Sequence, residues 1–270
     1  MANINEPRPS QRLFEKETLR QALRWVEAGH TLAEAEQVCG VPSIFLERAL
    51  VHANTRQDLI RHHLQSRPRL TSLLRYPARG PWGQSSYTGN CSGYLIVDLL
   101  DYFKPRSVFD PMEGSGTTGD VCFDFKVEYV GCDLQAGFDL LSSPFPDQPF
   151  ELVFWHPPYW PGHHYSRHPN DFSRIKKFGE YLTAMHAGFT RLSEVVAPQG
   201  HLVILIGDGR KQGTFFPIHN EIIHWRLLPL DAVLIKEGDH NRRGQFFRYG
   251  PTPFIPTLHE YVLIFKKGAS

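Results

Sequence analysis

His156-Pro157-Pro158-Tyr159 places an imidazole, two rigid imino acids and a phenol directly after the apolar run Leu152-Val153-Phe154-Trp155. Each proline fixes its own φ and pushes the residue before it toward extended backbone, so the chain beyond Trp155 cannot curl into helix. Neither proline has an N–H. The carbonyls of His156 and Pro157 therefore lie in an irregular turn at a strand end, free to accept hydrogen bonds from something other than the protein. Trp160 follows at once and either extends an aromatic platform or packs.

A second candidate site is the loop Asp110-Pro111-Met112-Glu113-Gly114-Ser115-Gly116-Thr117-Thr118-Gly119. Its glycines let backbone approach a ligand closely, and the N-terminus of a following helix favours an anionic group. No Lys-Ser/Thr follows the last glycine, so it is not a phosphate loop of the Walker type. Gly114, Gly116 and Gly119 do satisfy GxGxxG, with Asp133 at the end of the next apolar run to meet ribose hydroxyls. On this loop alone a nicotinamide dehydrogenase is a fair rival. Asp110 favours S-adenosylmethionine instead, because its carboxylate can meet the ammonium of a methionine moiety, a group that NAD lacks.

A polar residue followed by Pro-Pro-Tyr at a strand end, together with Asp-Pro-x-x-Gly-Ser-Gly-Thr-Thr, resembles the catalytic and cofactor motifs of the S-adenosylmethionine-dependent DNA amino-methyltransferases of N6-adenine and N4-cytosine type. The resemblance covers roughly Gly89 to Lys267, with the cofactor motif first. The family usually has Asp, Asn or Ser where this chain has His156.

Carried over, the resemblance implies that His156, Pro157, Pro158 and Tyr159 are catalytic. Asp110, Gly114 and Gly116 hold the methionine end, with Pro111, Glu113, Ser115 and Thr117 completing the cofactor loop. Asp133 takes the ribose, and Asn90 and Ser92 reach the carboxylate. Asp139 is placed near the adenine or serves only as a turn residue.

An amino group on an aromatic base is a poor nucleophile, its lone pair being delocalised into the ring. With its protons held by the Pro157 carbonyl and the His156 side chain, the nitrogen turns its lone pair to the sulfonium methyl by orientation and preorganised acceptors. A base inside a duplex must be flipped out to reach such a pocket, where Tyr159 would stack on it. A neutral imidazole accepts a hydrogen bond and a protonated one does not, so transfer is expected to fall as pH drops through the imidazole pKa.

These residues need a scaffold. Short apolar runs alternate with helical spacing: Val108-Phe109, a helix over 120–125, Glu128 to Cys132, Leu152 to Trp155, and a helix through Tyr181, Met185, Phe189, Leu192 and Val196. Val203 to Ile206, a helix over 218–225, and runs at 232–235 and 261–265 complete the series. The pattern predicts an α/β fold, a Rossmann-like and mostly parallel sheet with an antiparallel C-terminal strand, ligands lying at the carboxyl ends of the strands. Three segments are expected: helices over 1–66, a Pro/Gly/Arg-rich linker or lid over 67–90, and the catalytic domain over 91–270, opening with a helix through Leu95, Ile96, Leu99, Leu100 and Phe103 that Ser92 caps. In the first segment Thr31 caps a helix, and Gly40-Val41-Pro42-Ser43 separates it from a Ser-capped one. That is the signature of a helix-turn-helix or of a plain helical bundle.

Counted along the chain, residues 1–80 carry 12 Lys/Arg against 8 Asp/Glu, residues 81–208 carry 8 against 15, and residues 209–270 carry 9 against 5. Basic flanks suit a polyanion, double-stranded DNA first and RNA second, although solvated faces give the same counts. Arg242, Arg243, Phe247 and Arg248 interleave cations and aromatics, a composition for phosphate contact and base stacking. Four cysteines without a CxxC pair argue against structural zinc and disulfides, and His163, His164 and His168 lack an acidic or thiol partner at metal spacing, so no metal is expected. The N-terminus has no apolar h-region and no apolar run reaches membrane-spanning length, which predicts a cytoplasmic protein. A homodimer and a catalytically inactive DNA-binding homologue stay open.

Overall fold

The computed structural model describes residues 16–66, 70–84, 86–238 and 255–269, and the chain divides into two compact units, Met1–His63 and Leu64–Ser270. The first holds α1 (Lys16–Glu27), α2 (Leu32–Cys39) and most of α3 (Ser43–Ser66). Thr31 closes a reciprocal cap on α2: its hydroxyl accepts from the Glu34 N–H at 3.2 Å while the Glu34 carboxylate accepts from the Thr31 N–H at 2.8 Å. Gly40 ends α2 in the left-handed region, φ 70°, where a glycine is unstrained. Ser43 differs from expectation. It is the first residue of α3 and donates its N–H back to Glu36 at 2.9 Å, so it fastens the turn to α2 instead of capping α3. Leu23, Ala35 and Leu46 are buried as the apolar spacing predicts, whereas Val38 is 58% exposed.

The second unit is built on a seven-stranded sheet among the described residues: β1 (Leu73–Leu74), β2 (Ser107–Asp110), β3 (Glu128–Gly131), β4 (Phe150–Trp155), β5 (Val196–Ile206), β8 (Leu230–Glu237) and β9 (His259–Lys266). The order is β1-β8-β9-β5-β4-β2-β3. Only β9 runs against its neighbours; every other pairing is parallel. The Rossmann-like, mostly parallel sheet with one inverted C-terminal strand is therefore present. A small hairpin, β6 (Gly209–Lys211) and β7 (Thr214–Phe216), stands apart.

Both faces of the central strands are buried, as continuous apolar runs in parallel strands require. Val153 and Trp155 of β4, and Leu202, Ile204 and Ile206 of β5, pack with Tyr181, Met185, Phe189 and Leu192 of α6 (Phe178–Val195) and with Ile218 and Ile222 of α7 (Ile218–His224). Leu152, Phe154, Val203 and Leu205 on the opposite face are buried too. α4 (Gly93–Phe103) and α5 (Thr117–Phe125) bury their own apolar residues, Leu95, Ile96 and Leu99 in α4 and Val121 and Cys122 in α5.

The expected linker is built into this unit. β1 adds a parallel edge strand to β8, and Trp82, 1% exposed, donates its indole N–H to Asp124 at 2.7 Å. Gly83 lies so close to the glycine loop that a Cβ there would sit 2.2 Å from the Thr117 hydroxyl oxygen. Its N–H donates to Asp120 at 2.8 Å. This Pro/Gly-rich stretch reads as linker because close backbone approach and flexible connection use the same residues.

Topology decides where the chemistry gathers. β2, β4, β5 and β8 end at one edge of the sheet, which delivers Asp110, His156, Gly207 and Lys236 there. Inverted β9 begins at that edge, with Glu260 opposite Lys236.

Candidate active site

A cleft opens at this edge. Its floor is the glycine loop. Gly114 (φ 48°) and Gly116 (φ 76°) both take left-handed backbone, and Gly116 is the N-cap of α5. A Cβ on Gly114 would stand 3.0 Å from the Tyr87 ring. Pro111, Glu113, Ser115 and Thr117 line the cleft with Asp110, Asn90, Asp133 and Asp139. Asn90 is not free to swing: its side-chain oxygen accepts from Ser115 at 2.9 Å and from Thr117, and its amide donates to the Gln84 carbonyl. Ser92 lies elsewhere. It leaves α4 without a side-chain cap, donates toward the Ala78 carbonyl at 3.3 Å, and lines a neighbouring cavity instead.

The cleft's charge is one-sided. Asp110, Glu113, Asp133, Asp139 and Asp171 line it without a single Lys or Arg among the described residues. Asp110 is 2% exposed, and burial, aided by the neighbouring Glu113 and Asp133, pushes its carboxyl up to about 7 although Thr118 and the Met112 N–H both donate to it. A buried carboxylate crowded by others is completed by a cation. Asp133 caps a 3-10 turn through the Gln135 N–H at 2.8 Å and accepts from Gly114 at 3.2 Å, which fixes its carboxylate at the cleft wall. Asp139 lines the cleft, but both its oxygens are committed: one to the Leu141 N–H, the other to Ser142 and Asn170, each at 2.7 Å. These bonds hold the turn together at the cleft wall. Tyr87 and Tyr165, stacked with centroids 6.1 Å apart, cover the cleft. Phe138, Leu140, Phe154 and Phe172 give it an apolar end.

A second, wider cavity adjoins the first, and the two share His156, Asn90, Cys91, Gly89 and Tyr165. His156 thus stands where the cavities meet. Burial lowers its pKa to about 4, so the imidazole is neutral at ordinary pH. No protein donor among the described residues reaches the Pro157 carbonyl, whereas the Pro158 carbonyl accepts from the Tyr181 hydroxyl at 2.9 Å.

Tyr159 differs from a simple stacking residue. Its ring lies on Gly207, where a Cβ would come within 2.9 Å, and its hydroxyl donates to Glu260 at 2.8 Å and sits 3.0 Å from His156 Nε2. Burial works to raise the Glu260 carboxyl, but Lys236, paired with it, and the Tyr159 hydroxyl that donates to it more than offset this and hold it below its usual value. Neither Glu260 nor Lys236 is legible as a site residue in sequence, since only the register of β8 against β9 brings them under Tyr159.

Trp160 is in the core. It is 5% exposed, donates to the Ile175 carbonyl at 2.9 Å and packs on Phe178 and Phe216. It also lines the wider cavity. Arg242, Arg243, Phe247 and Arg248 lie outside the described residues. Among the described residues no group of three or more His, Cys, Asp or Glu is arranged to hold a metal, and no helix is long and apolar enough to cross a membrane. Cys91 and Cys122 are buried free thiols, Cys39 and Cys132 half-buried ones.

No family model matches the chain, and no curated protein matches it. Among solved structures it is similar to TTHA0409 of Thermus thermophilus, a "Putative DNA Modification Methylase" complexed with S-adenosyl-L-methionine, at 26% identity over 49% of this chain and 54% of that one, TM-score 0.35. It is also similar to the N-methyltransferase NodS of Bradyrhizobium japonicum in complex with S-adenosyl-L-homocysteine, at 14% identity over 79% and 86% of the two chains, TM-score 0.33. A third is an rRNA methylase of Streptococcus thermophilus, at 12% identity over 64% and 96%, TM-score 0.35. The chain spans about half the length of the Thermus protein.

Proposed function

We propose that this chain is an S-adenosylmethionine-dependent methyltransferase that acts on the exocyclic amino group of adenine (N6) or cytosine (N4), in a base flipped out of double-stranded DNA. The observation that carries it is the junction at His156. A cleft lined, among the described residues, by five carboxylates and no Lys or Arg meets a wider cavity at the neutral imidazole, and a second hydrogen-bond acceptor, the Pro157 carbonyl, belongs to the cleft's lining next in sequence. Those carboxylates suit a cofactor with a sulfonium and an ammonium and oppose the pyrophosphate of NAD.

When bound, the cofactor supplies a methyl group on positively charged sulfur. The chain's residues do the rest. Asp110, ionised against the ammonium, and Asp133, facing the ribose, hold the donor. Tyr87 and Tyr165 exclude water above the cleft. The His156 imidazole and the Pro157 carbonyl accept hydrogen bonds from the amine's two N–H groups, so the nitrogen lone pair points along the line of attack. Methylation would leave the amine nitrogen with one proton too many, which His156 or water would take.

The α2–turn–α3 arrangement, three residues between two helices, supports a helix-turn-helix contact with duplex DNA, and the Asn241 to Tyr249 stretch adds cations and aromatics. Labelled methyl donor supplied with plasmid DNA, and in parallel with RNA, followed by digestion to nucleosides, tests the reading. N6-methyladenine or N4-methylcytosine from DNA is expected. Label appearing only in RNA moves the substrate to RNA, and thermal stabilisation by NAD but not by S-adenosylmethionine sinks the reading.

A further inference from the structure

An imidazole offers an acceptor on either nitrogen, and one neutral ring can offer only one at a time. The geometry points to Glu260 and Lys236 as positioning residues that decide which: acting through Tyr159, they hold His156 as the Nε2–H form and leave Nδ1 as the bare acceptor that faces the substrate. The use of Nδ1 rests on the methyl-transfer reading; the tautomer does not.

The chain of bonds admits one set of proton positions. Lys236 Nζ pairs with Glu260 Oε2, and Glu260 Oε1 stands 2.8 Å from the Tyr159 hydroxyl. A carboxylate beside an ammonium has no proton to give, so the phenol must donate to it. Tyr159 has a single hydroxyl proton. Toward His156 Nε2, 3.0 Å away, its oxygen can therefore only accept, and Nε2 must carry the hydrogen. A neutral imidazole has one N–H, which leaves a lone pair on Nδ1. Nδ1 has no hydrogen-bond partner among the described residues, and no fully buried side-chain nitrogen or oxygen among them lacks one. Nδ1 is thus open to the cavities that His156 lines. The opposite tautomer would set two lone pairs against each other at Nε2, and an unmade buried bond biases such an equilibrium by roughly tenfold to a hundredfold. This is how an imidazole fills a place where the resembled family carries Asp, Asn or Ser. Those side chains offer an acceptor oxygen in any state, whereas histidine has to be told which nitrogen to leave bare.

Long-range proton–nitrogen correlation spectra of the full chain labelled with 15N-histidine, with His156 assigned by its loss in His156→Asn, read the tautomer directly. The wild type is expected to show Nε2–H in at least nine molecules of ten. In Glu260→Gln, Lys236 keeps the amide oxygen and the amide NH2 turns to Tyr159. The phenol then gives its proton to Nε2 and the tautomer inverts. Adding Lys236→Met frees the amide to rotate and restores Nε2–H. Methyl transfer should follow, falling by about a hundredfold in the single variant and recovering in the double one. A residue that merely supported the fold would move stability and leave the tautomer alone. Should Glu260→Gln fail to fold by circular dichroism, Tyr159→Phe serves: without the phenol the two tautomers should mix. An Nδ1–H wild type, or an unchanged tautomer in the folded variants, overturns the inference. An Nε2–H wild type that inverts as expected but methylates neither DNA nor RNA upholds it and sinks the methyl-transfer reading instead. Transfer by an Nδ1–H histidine does the reverse.

Discussion

Asp110→Asn should make the ligand-free protein more stable and the enzyme worse, and the two effects have one cause. The carboxyl is 2% exposed and burial lifts it to about 7, so below that pH the folded chain holds a proton there that the unfolded chain, titrating near 3.8, has lost. For an acid raised in this way stability falls as pH climbs from about 4 to 7 and then levels off, the reverse of a salt-bridged aspartate. The full displacement corresponds to on the order of 4 kcal/mol above pH 7. Asparagine keeps the shape: its oxygen can take the Met112 N–H, and its amide can donate to the Thr118 hydroxyl, which rotates to accept. Urea denaturation without ligand should therefore show no gain at pH 4 and a gain of roughly 2–4 kcal/mol at pH 8. With S-adenosylmethionine the sign reverses, because the variant loses a charge-assisted bond to the ammonium. Calorimetric titration should find affinity weaker by about 10- to 100-fold. A stability offset independent of pH, or a Kd within about twofold of wild type, would refute the reasoning.

The remaining expectations are more local. Because His156 titrates near 4, single-turnover methyl transfer should persist at pH 5.5, where an imidazole titrating near 6.5 would be only about one-tenth neutral; a fall centred near pH 6.5 counts against the acceptor role. Gly207→Ala puts a Cβ within 2.9 Å of the Tyr159 ring, so kcat should drop roughly a hundredfold with S-adenosylmethionine affinity unchanged, and an unaltered kcat would show that Tyr159 need not be where it is. Trp160→Ala empties a packed site between Phe178 and Phe216 and should cost about 3–5 kcal/mol in chemical denaturation, whereas a loss confined to substrate KM would give Trp160 the platform role instead. Arg242→Glu with Arg243→Glu should flatten the salt dependence of DNA binding by about two counterions' worth of slope, and no change in slope excludes both from phosphate contact.

What the sequence determined by itself is what short-range physics writes locally. Alternation of apolar runs with helical spacing specified a mostly parallel sheet, since continuous burial on both faces leaves strands no other solution. Two prolines after Trp155 specified an irregular strand end with a free carbonyl at Pro157, and Gly114 and Gly116 specified left-handed backbone beneath a ligand. Tertiary structure decided which side chains those features would meet. Residues 70–90 look like a linker until Gly83 and Trp82 are seen pressed onto Thr117 and Asp124. Trp160 gains its packing partners, Phe178 and Phe216, only when the chain folds around it. Asp139 meets Asn170, 31 residues on, only in the folded chain. Glu260 has no local signature at all, lying 101 residues beyond the tyrosine it grips. Its partnership exists because β9 alone is inverted, so that its first residues, and not its last, arrive at the edge where the parallel strands end.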